Sequence, residues 1–168
     1  MTDALIITKE KIFSILESVT DPEVPVLSII DLGIVRDVEI ESSHKIKITI
    51  TPTYTGCPAM DVISMSIRMC LLENGFTDIT IKNVLSPAWT TDWMSEVGKQ
   101  KLKAYGIAPP NVSQQVCTPA LFQKDEAVQC PHCNSYHTQL ISRFGSTACK
   151  ALYKCNDCKE PFDYFKCH

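Results

Sequence analysis

The sequence predicts an α+β fold, with a compact αββαβα domain containing a small mixed sheet, followed by a C-terminal zinc ribbon. Two observations lead to this prediction. Helical and alternating apolar patterns interchange along the first 106 residues. Six of the nine cysteines, in contrast, lie within the last 39 of the 168 residues. We therefore expect residues 1–106 to form the α+β domain, 107–128 a Pro-rich linker, and 129–168 the ribbon.

The first predicted elements are a helix and a hairpin. Thr8 can cap a helix whose apolar residues recur at i, i+3, i+4 and i+7 from Ile12 onward, and Pro22 and Pro25 prevent the helix from continuing. Apolar and polar residues alternate around position 39 and over 46–50. This alternation predicts two strands of a hairpin with one buried face.

A second helix, a third strand and a third helix complete the predicted domain. Pro58 suits the first position of a largely buried helix that ends at Asn74-Gly75. Alternation over 79–84 predicts the third strand. Asp92 is expected to open a shorter helix that reaches Gly106.

Composition excludes several classes of protein. Sixteen basic and nineteen acidic residues leave a net charge of -3, which argues against a protein that mainly neutralises nucleic-acid phosphates. The sequence has no apolar run of about 18 residues, and its N-terminus lacks the basic start and apolar stretch of a signal peptide. We expect a cytoplasmic protein that binds neither nucleic acid nor membrane.

The clearest motif is a pair of Cys-x-x-Cys knuckles formed by Cys130 with Cys133 and by Cys155 with Cys158. Four thiolates complete a tetrahedral zinc site and leave no position for water, so we expect a structural metal. A rubredoxin-like iron site and redox dithiols are the alternatives. Further cysteines and histidines could replace a ligand or form a second site: Cys149, Cys167, His132, His137 and His168.

Cys57 lies between a predicted strand end and a predicted helix start, directly before Pro58. Unpaired amides and the positive end of the helix dipole at this position favour a thiolate over a thiol. Such a sulfur can ligate iron or attack an electrophile. The alternative is a small residue that only fills a cap position.

Asp21-Pro22-Glu23 places two carboxylates around a proline in an extended segment. Asp21 and Glu23 could act as general bases or metal ligands, or could simply end the first helix. Asp31-Leu32-Gly33 is typical of a turn in which Gly33 takes a positive φ.

These motifs together resemble a known family. Asp21-Pro22-Glu23, Asp31-Leu32-Gly33 and Thr55-Gly56-Cys57-Pro58, in this order, resemble the iron–sulfur cluster assembly domains of SufT-like and eukaryotic cytosolic maturation proteins over residues 8–106. Adding 87–93, 105–110 and 144–151, nearly the whole chain resembles the PaaD family of phenylacetate-degradation proteins.

The resemblance implies a non-enzymatic maturation factor of the phenylacetyl-CoA epoxidase system. It implies help with iron–sulfur cluster assembly in the reductase component, with Cys57, Asp21 and Glu23 handling iron or a transient cluster and with no catalytic residue. Two other functions stay open: a structural adaptor that contacts the oxygenase subunits, and a thiol enzyme that acts on a CoA thioester through Cys57. A homodimer is also left open.

Overall fold

The computed structural model describes residues 7–42, 45–110 and 128–166. Their helices and strands follow the predicted order in the first unit and form a four-stranded sheet at the end. The elements of the first unit are α1 (Lys9–Leu16), β1 (Val35–Ser42), β2 (Lys45–Ile50), α2 (Ala59–Glu73), β3 (Asp78–Asn83), a 3-10 helix (Thr91–Trp93) and α3 (Glu96–Tyr105). Four strands follow: β4 (Ile107–Ala108), β5 (Thr138–Ser142), β6 (Lys150–Cys155) and β7 (Pro161–Phe165).

The first sheet has the strand order β1-β2-β3 and is mixed, as predicted. β1 and β2 form the antiparallel hairpin, and β2 pairs in parallel with β3, so α2 serves as the crossover between them. Thr8 caps α1, because its hydroxyl accepts a hydrogen bond from the Lys11 amide at 3.3 Å. The α+β prediction is confirmed.

The prediction of the third helix is wrong at its start. Asp92 belongs to the 3-10 helix, and Met94 then takes an extended conformation (φ -69°, ψ 138°) that separates this turn from α3. Ser95 caps α3 by accepting a hydrogen bond from the Gly98 amide at 2.9 Å. The helix ends at Gly106 with φ 91°, as predicted.

α2 is buried on one face only, which corrects the expectation of a largely buried helix. The buried face packs into the main core through Met60, Ile63, Ile67 and Leu71. The opposite face exposes an apolar stripe at helical spacing: Val62, Met65, Met69 and Leu72. No helix within the described ranges combines the length and the apolar character needed to cross a membrane.

The ribbon sheet includes two residues from the first part of the predicted linker. Its strand order is β4-β7-β6-β5, and Ile107 and Ala108 of β4 pair in parallel with Asp163 and Tyr164 of β7. The first two residues of the predicted linker are therefore part of the folded ribbon and not of a free connector. Their side chains are buried, and their backbone adds a strand to the ribbon sheet. Residues 111–127 of the predicted linker, with Cys117, lie outside the described residues, as do His44, Cys167 and His168.

The ribbon also packs into the core of the first unit. Cys149 and Phe165 are buried within the same apolar cluster as α1, α2 and the first sheet. The ring of Phe165 meets the ring of Trp89 edge to face, with 6.2 Å between the centroids. The two units thus share a core and are joined by a strand pair.

Replacing Gly33 with Ala is expected to be strongly destabilising. Gly33 has φ 67°, and a Cβ atom there would overlap the Trp93 carbonyl oxygen. The left-handed conformation alone costs about 1–3 kcal/mol in a residue with a side chain, and the overlap adds to this cost. Gly75→Ala is the matched control, because Gly75 has φ 90° but open space around it. Urea denaturation of both variants would contradict this prediction if Gly33→Ala lost no more stability than Gly75→Ala.

Candidate functional site

The four knuckle cysteines meet at one point of the ribbon. The sulfur atoms of Cys130, Cys133, Cys155 and Cys158 all lie within 4.8 Å of one another. Cys130 Sγ is 3.7 Å from Cys158 Sγ, and Cys133 Sγ is 3.5 Å from Cys155 Sγ. These separations are too long for disulfides, whose sulfur atoms are about 2.05 Å apart.

The local backbone explains why the four sulfurs converge. Each knuckle is followed by a residue in the left-handed conformation, Asn134 with φ 62° and Lys159 with φ 70°. In the first knuckle the Asn134 amide donates to the Cys130 carbonyl, and in the second the Cys155 amide donates to the Glu160 carbonyl, each at 2.9 Å. Both chain segments therefore turn tightly and direct their paired cysteines to the same side.

The donor set fits a zinc ion. A tetrahedral ion with four zinc–sulfur bonds of about 2.3 Å requires sulfur atoms about 3.8 Å apart, close to the two separations above. Cys130 and Cys155 are fully buried, whereas Cys133 is exposed. The four thiolates would saturate the ion, whose contribution would be to hold the two knuckles together.

The surplus ligands that the structure describes do not join this centre. The ring of His132 lies against Gly106, and His137 Nδ1 is 3.0 Å from Asp157 Oδ1 at an exposed position. Cys149 directly precedes β6 and packs into the main core instead.

A second group of polar side chains lies at the start of α2. The regular helix begins at Ala59, one residue later than predicted, but Pro58 already has helical dihedral angles (φ -68°, ψ -20°). The Met60 amide donates to the Cys57 carbonyl at 3.3 Å, and the Ala59 amide donates to the Cys57 sulfur. The cap residue is thus Pro58 rather than Cys57, and the Cys57 sulfur accepts a helix-start amide from one position before the cap.

The electrostatic prediction for Cys57 is wrong in sign. Burial raises the pKa of this half-buried thiol, and the nearby carboxylates of Glu23 and Asp21 raise it further. Hydrogen bonds from the Ala59 amide and from the Tyr54 hydroxyl lower it, but they do not outweigh the burial. Tyr54 remains a proton donor, because burial and the neighbouring sulfur raise the pKa of its hydroxyl. Cys57 is thus held as a thiol.

The Asp21–Glu23 segment forms a tight loop that fixes its own backbone. Asp21 Oδ1 accepts hydrogen bonds from the amides of Glu23 at 2.7 Å and Val24 at 2.9 Å. The Asp21 amide donates to the Leu27 carbonyl at 2.9 Å, which closes the loop. Burial raises the pKa of Asp21 above its usual range despite these hydrogen bonds. Asp21 therefore stabilises the loop, and the side chain of Glu23 projects from it.

Cys149 is the residue that the sequence did not associate with this group. Its sulfur lies 3.6 Å from Glu23 Oε2 and 3.1 Å from Thr147 Oγ1. Burial raises the pKa of Cys149 to about 11. The one signal in the sequence is that Cys149 is a ribbon cysteine that the two knuckles do not need.

Asp31 has a structural role nearby. Its carboxylate accepts hydrogen bonds from the Ser28 amide at 3.1 Å, the Ser95 hydroxyl at 2.9 Å and the Lys101 ammonium at 2.6 Å. Although partial burial opposes ionisation, these donors hold the pKa of Asp31 below its usual range. Asp31 thus ties the turn before Gly33 to the start of α3.

Removing the Glu23 charge is expected to make Cys57 more reactive. Glu23→Gln removes a negative charge that disfavours the Cys57 thiolate, so the pKa of the thiol falls and alkylation at pH 7 becomes several-fold faster. At a pH well below the pKa, each unit by which the thiol pKa falls gives about tenfold more thiolate.

Rates of iodoacetamide labelling, assigned to Cys57 by peptide mass spectrometry, measure this effect. Asp37→Asn is the matched control, because Asp37 pairs with Lys9 on the exposed surface. An unchanged or slower rate in Glu23→Gln would show that the carboxylate does not act on this sulfur.

Comparisons with known proteins agree with both parts of the structure. Residues 9–74 match the family described as iron-sulfur cluster assembly protein, and residues 114–166 match the PaaD zinc beta ribbon domain. A crystal structure of a domain of unknown function, DUF59, from Bacillus anthracis superposes with a TM-score of 0.52 and 33% identity, covering 55% of this chain and 89% of that one.

Two curated relatives cover different extents of the chain. An Escherichia coli (strain K12) protein, provisionally named as one of the subunits of 1,2-phenylacetyl-CoA epoxidase, is 49% identical over 157 residues, which are 94% of this chain and 92% of that protein. The Bacillus subtilis (strain 168) Fe-S protein maturation auxiliary factor YitW is 37% identical over 92 residues, which are 54% of this chain and 89% of YitW.

The fold and the four-cysteine centre define a protein that joins an iron–sulfur cluster assembly domain to a zinc ribbon. The similarity to the Escherichia coli protein extends over both parts of the chain, and it therefore identifies a narrower family within this class. The chain belongs to the PaaD family. The family predicted from the sequence is confirmed.

Proposed function

We propose that this chain is a non-enzymatic maturation factor of the phenylacetyl-CoA epoxidase system. Its first unit would help to assemble or insert an iron–sulfur cluster into the reductase component, and its ribbon would contact that recipient. The name of the Escherichia coli relative supports the epoxidase system, and that of YitW supports iron–sulfur maturation. The Cys57 environment is the observation that carries the proposal.

The charges around Cys57 favour a bound cation over a nucleophilic reaction. A nucleophilic cysteine requires a lowered pKa, usually from a neighbouring cation or imidazolium. Cys57 instead has carboxylates as neighbours, and its pKa is raised. The same carboxylates attract a metal cation, whose charge compensates both them and the thiolate formed on binding.

The hydrogen-bond partners of Cys57 also argue against a thiol enzyme. They are the Ala59 amide and the hydroxyl of Tyr54, and neither can accept the thiol proton at neutral pH. Of the described histidines, His132 lies against Gly106 and His137 next to Asp157, so both belong to the ribbon side of the molecule.

The test is the cluster content of the reductase. In a strain lacking this protein, the isolated reductase is expected to contain less iron and sulfide, while its abundance and the activity of separately reconstituted oxygenase stay unchanged. Reductase with a full cluster from the deletion strain would refute the maturation role.

A structural adaptor is the second candidate function. The exposed apolar stripe of α2 and the exposed rings of Tyr136 and Phe144 would suit contacts with oxygenase subunits. Co-purification with the oxygenase in fixed stoichiometry, together with normal reductase clusters in the deletion strain, would favour it. Sedimentation analysis of the isolated chain would decide the open question of a homodimer.

A further inference from the structure

We propose that the exposed apolar stripe of α2 is an interface that pairs with α2 of a second copy of this chain. The stripe consists of Val62, Met65, Met69 and Leu72, whose exposed fractions lie between 48% and 66%. Such a dimer lies outside the proposed function and does not depend on it.

The spacing of the stripe is that of a coiled-coil seam. Its four residues follow one another at intervals of three, four and three, which is the repeat of the a and d positions in two heptads. α2 already has a separate apolar face for its own core in Ile63, Ile67 and Leu71, each at most 1% exposed. The stripe lies on the opposite side of the helix and has the width that one further helix covers.

The charges beside the stripe favour a second copy as that further helix. Asp61 and Arg68 occupy g positions of the same heptads, and Glu73 occupies an e position. Side chains at e and g meet across a helix pair and set the choice of partner. In a parallel pair Arg68 would face Glu73 of the second copy, and in an antiparallel pair it would face Asp61 of the second copy. Either orientation therefore forms two ion pairs, one from each chain.

These three charged side chains are available for such contacts. Within the described part of the chain, neither Asp61 nor Glu73 belongs to an ion pair. Arg68 is exposed and donates one hydrogen bond, from Nη1 to the Ile79 carbonyl at 2.9 Å. This bond leaves the other guanidinium donors for a carboxylate and holds the side chain at the flank of α2. Because Arg68 is already ordered in this way, it loses less entropy when it pairs.

The interface should give a reversible dimer. A stable interface buries about 800 Å² on each partner, and a seam of two heptads supplies only part of that area. Since α2 is a 15-residue helix held by its own core, pairing does not require a new helix to form. We therefore expect a dissociation constant of about 1–100 µM.

Sedimentation equilibrium of the full chain, with zinc bound, tests this interface. The average mass should rise from one chain towards two over roughly 1–500 µM, a range that brackets the expected constant. Met65→Lys should raise the dissociation constant by about tenfold or more, because it places a charge within the seam. Val97→Lys is the matched control, because Val97 is 56% exposed but lies on α3. A single-chain mass throughout, a dimer that Met65→Lys leaves intact, or an equal loss in both variants would overturn the proposal.

Charge reversal tests whether the chain recognises its own copy. Arg68→Glu should weaken the dimer by about fivefold, because it sets a carboxylate against a carboxylate of the second copy. Adding Asp61→Lys should restore an antiparallel dimer, and adding Glu73→Lys should restore a parallel one. Restoration by neither change would refute pairing through α2.

Two further measurements keep the test decisive. Zinc content and far-UV circular dichroism show whether each variant folds, and if Met65→Lys does not, the Arg68 variants decide alone. A chain that stays monomeric but binds purified oxygenase subunits only with an intact stripe would assign the stripe to the adaptor function and overturn the second copy as its occupant.

Discussion

Loss of the ribbon metal is expected to unfold the ribbon and to destabilise the first unit as well. The purified chain should contain one zinc, and Cys155→Ser should lose it, because Cys155 is a fully buried ligand. The ribbon has a small core, and structural zinc sites contribute about 10–16 kcal/mol of apparent binding free energy. Without the ion, the two knuckles have no comparable connection.

The effect should reach the first unit through the shared core. Phe165 is 99% buried against Trp89, and removing a buried phenylalanine costs about 3–5 kcal/mol. The unpaired β4 strand and the space left by Cys149 add to this loss. This expectation differs from the one that follows from a Pro-rich linker, in which residues 1–106 would be unaffected.

Zinc analysis, tryptophan fluorescence during urea denaturation and amide NMR spectra measure the two effects separately. Cys70→Ser should keep its zinc and lose little stability, since Cys70 is a half-buried thiol outside the metal centre. Iron in place of zinc would support the rubredoxin-like alternative. Native first-unit spectra and an unchanged denaturation midpoint in the zinc-free chain would show that the units are independent.

Local signals predicted most of the first unit. The cap and periodicity of α1, the hairpin alternation and the Gly106 end of α3 depend on residues within one turn or one strand pair. The start of α3 could not be predicted from local signals, because Asp92 and Ser95 are both residue types that favour a helix N-cap. The structure uses Ser95, whose backbone amide and hydroxyl also bond to Asp31, 64 residues earlier in the chain.

The two candidate sites differ in how much the sequence could reveal. The spacing of two Cys-x-x-Cys motifs defines the ribbon centre, because each knuckle brings its own pair of ligands together. The contact between Cys149 and Glu23 joins residues 126 positions apart, so only the docking of the ribbon onto the first unit creates it. The sequence likewise showed the helix start at Cys57 but not the burial that raises its pKa.

Cys57→Ser is expected to abolish function while leaving the fold intact. Serine keeps a side chain that can accept the Ala59 amide, so the free energy of unfolding should fall by no more than about 1 kcal/mol. A serine hydroxyl is a harder and far less acidic ligand than a thiol, so it cannot replace the sulfur towards iron or a cluster intermediate. Reductase cluster content and growth on phenylacetate should therefore fall to the level of the deletion strain.

Complementation of the deletion strain measures this prediction, with Cys70→Ser as the control that removes a thiol from the neighbouring helix α2. Tyr54→Phe is informative in addition, because it removes the hydroxyl that donates to Cys57 and keeps the sulfur. We expect Tyr54→Phe to retain part of the activity and to show a still higher Cys57 pKa. Normal growth and full reductase clusters with Cys57→Ser would reduce Cys57 to a structural cap, because a sulfur that serine can replace holds no metal cargo.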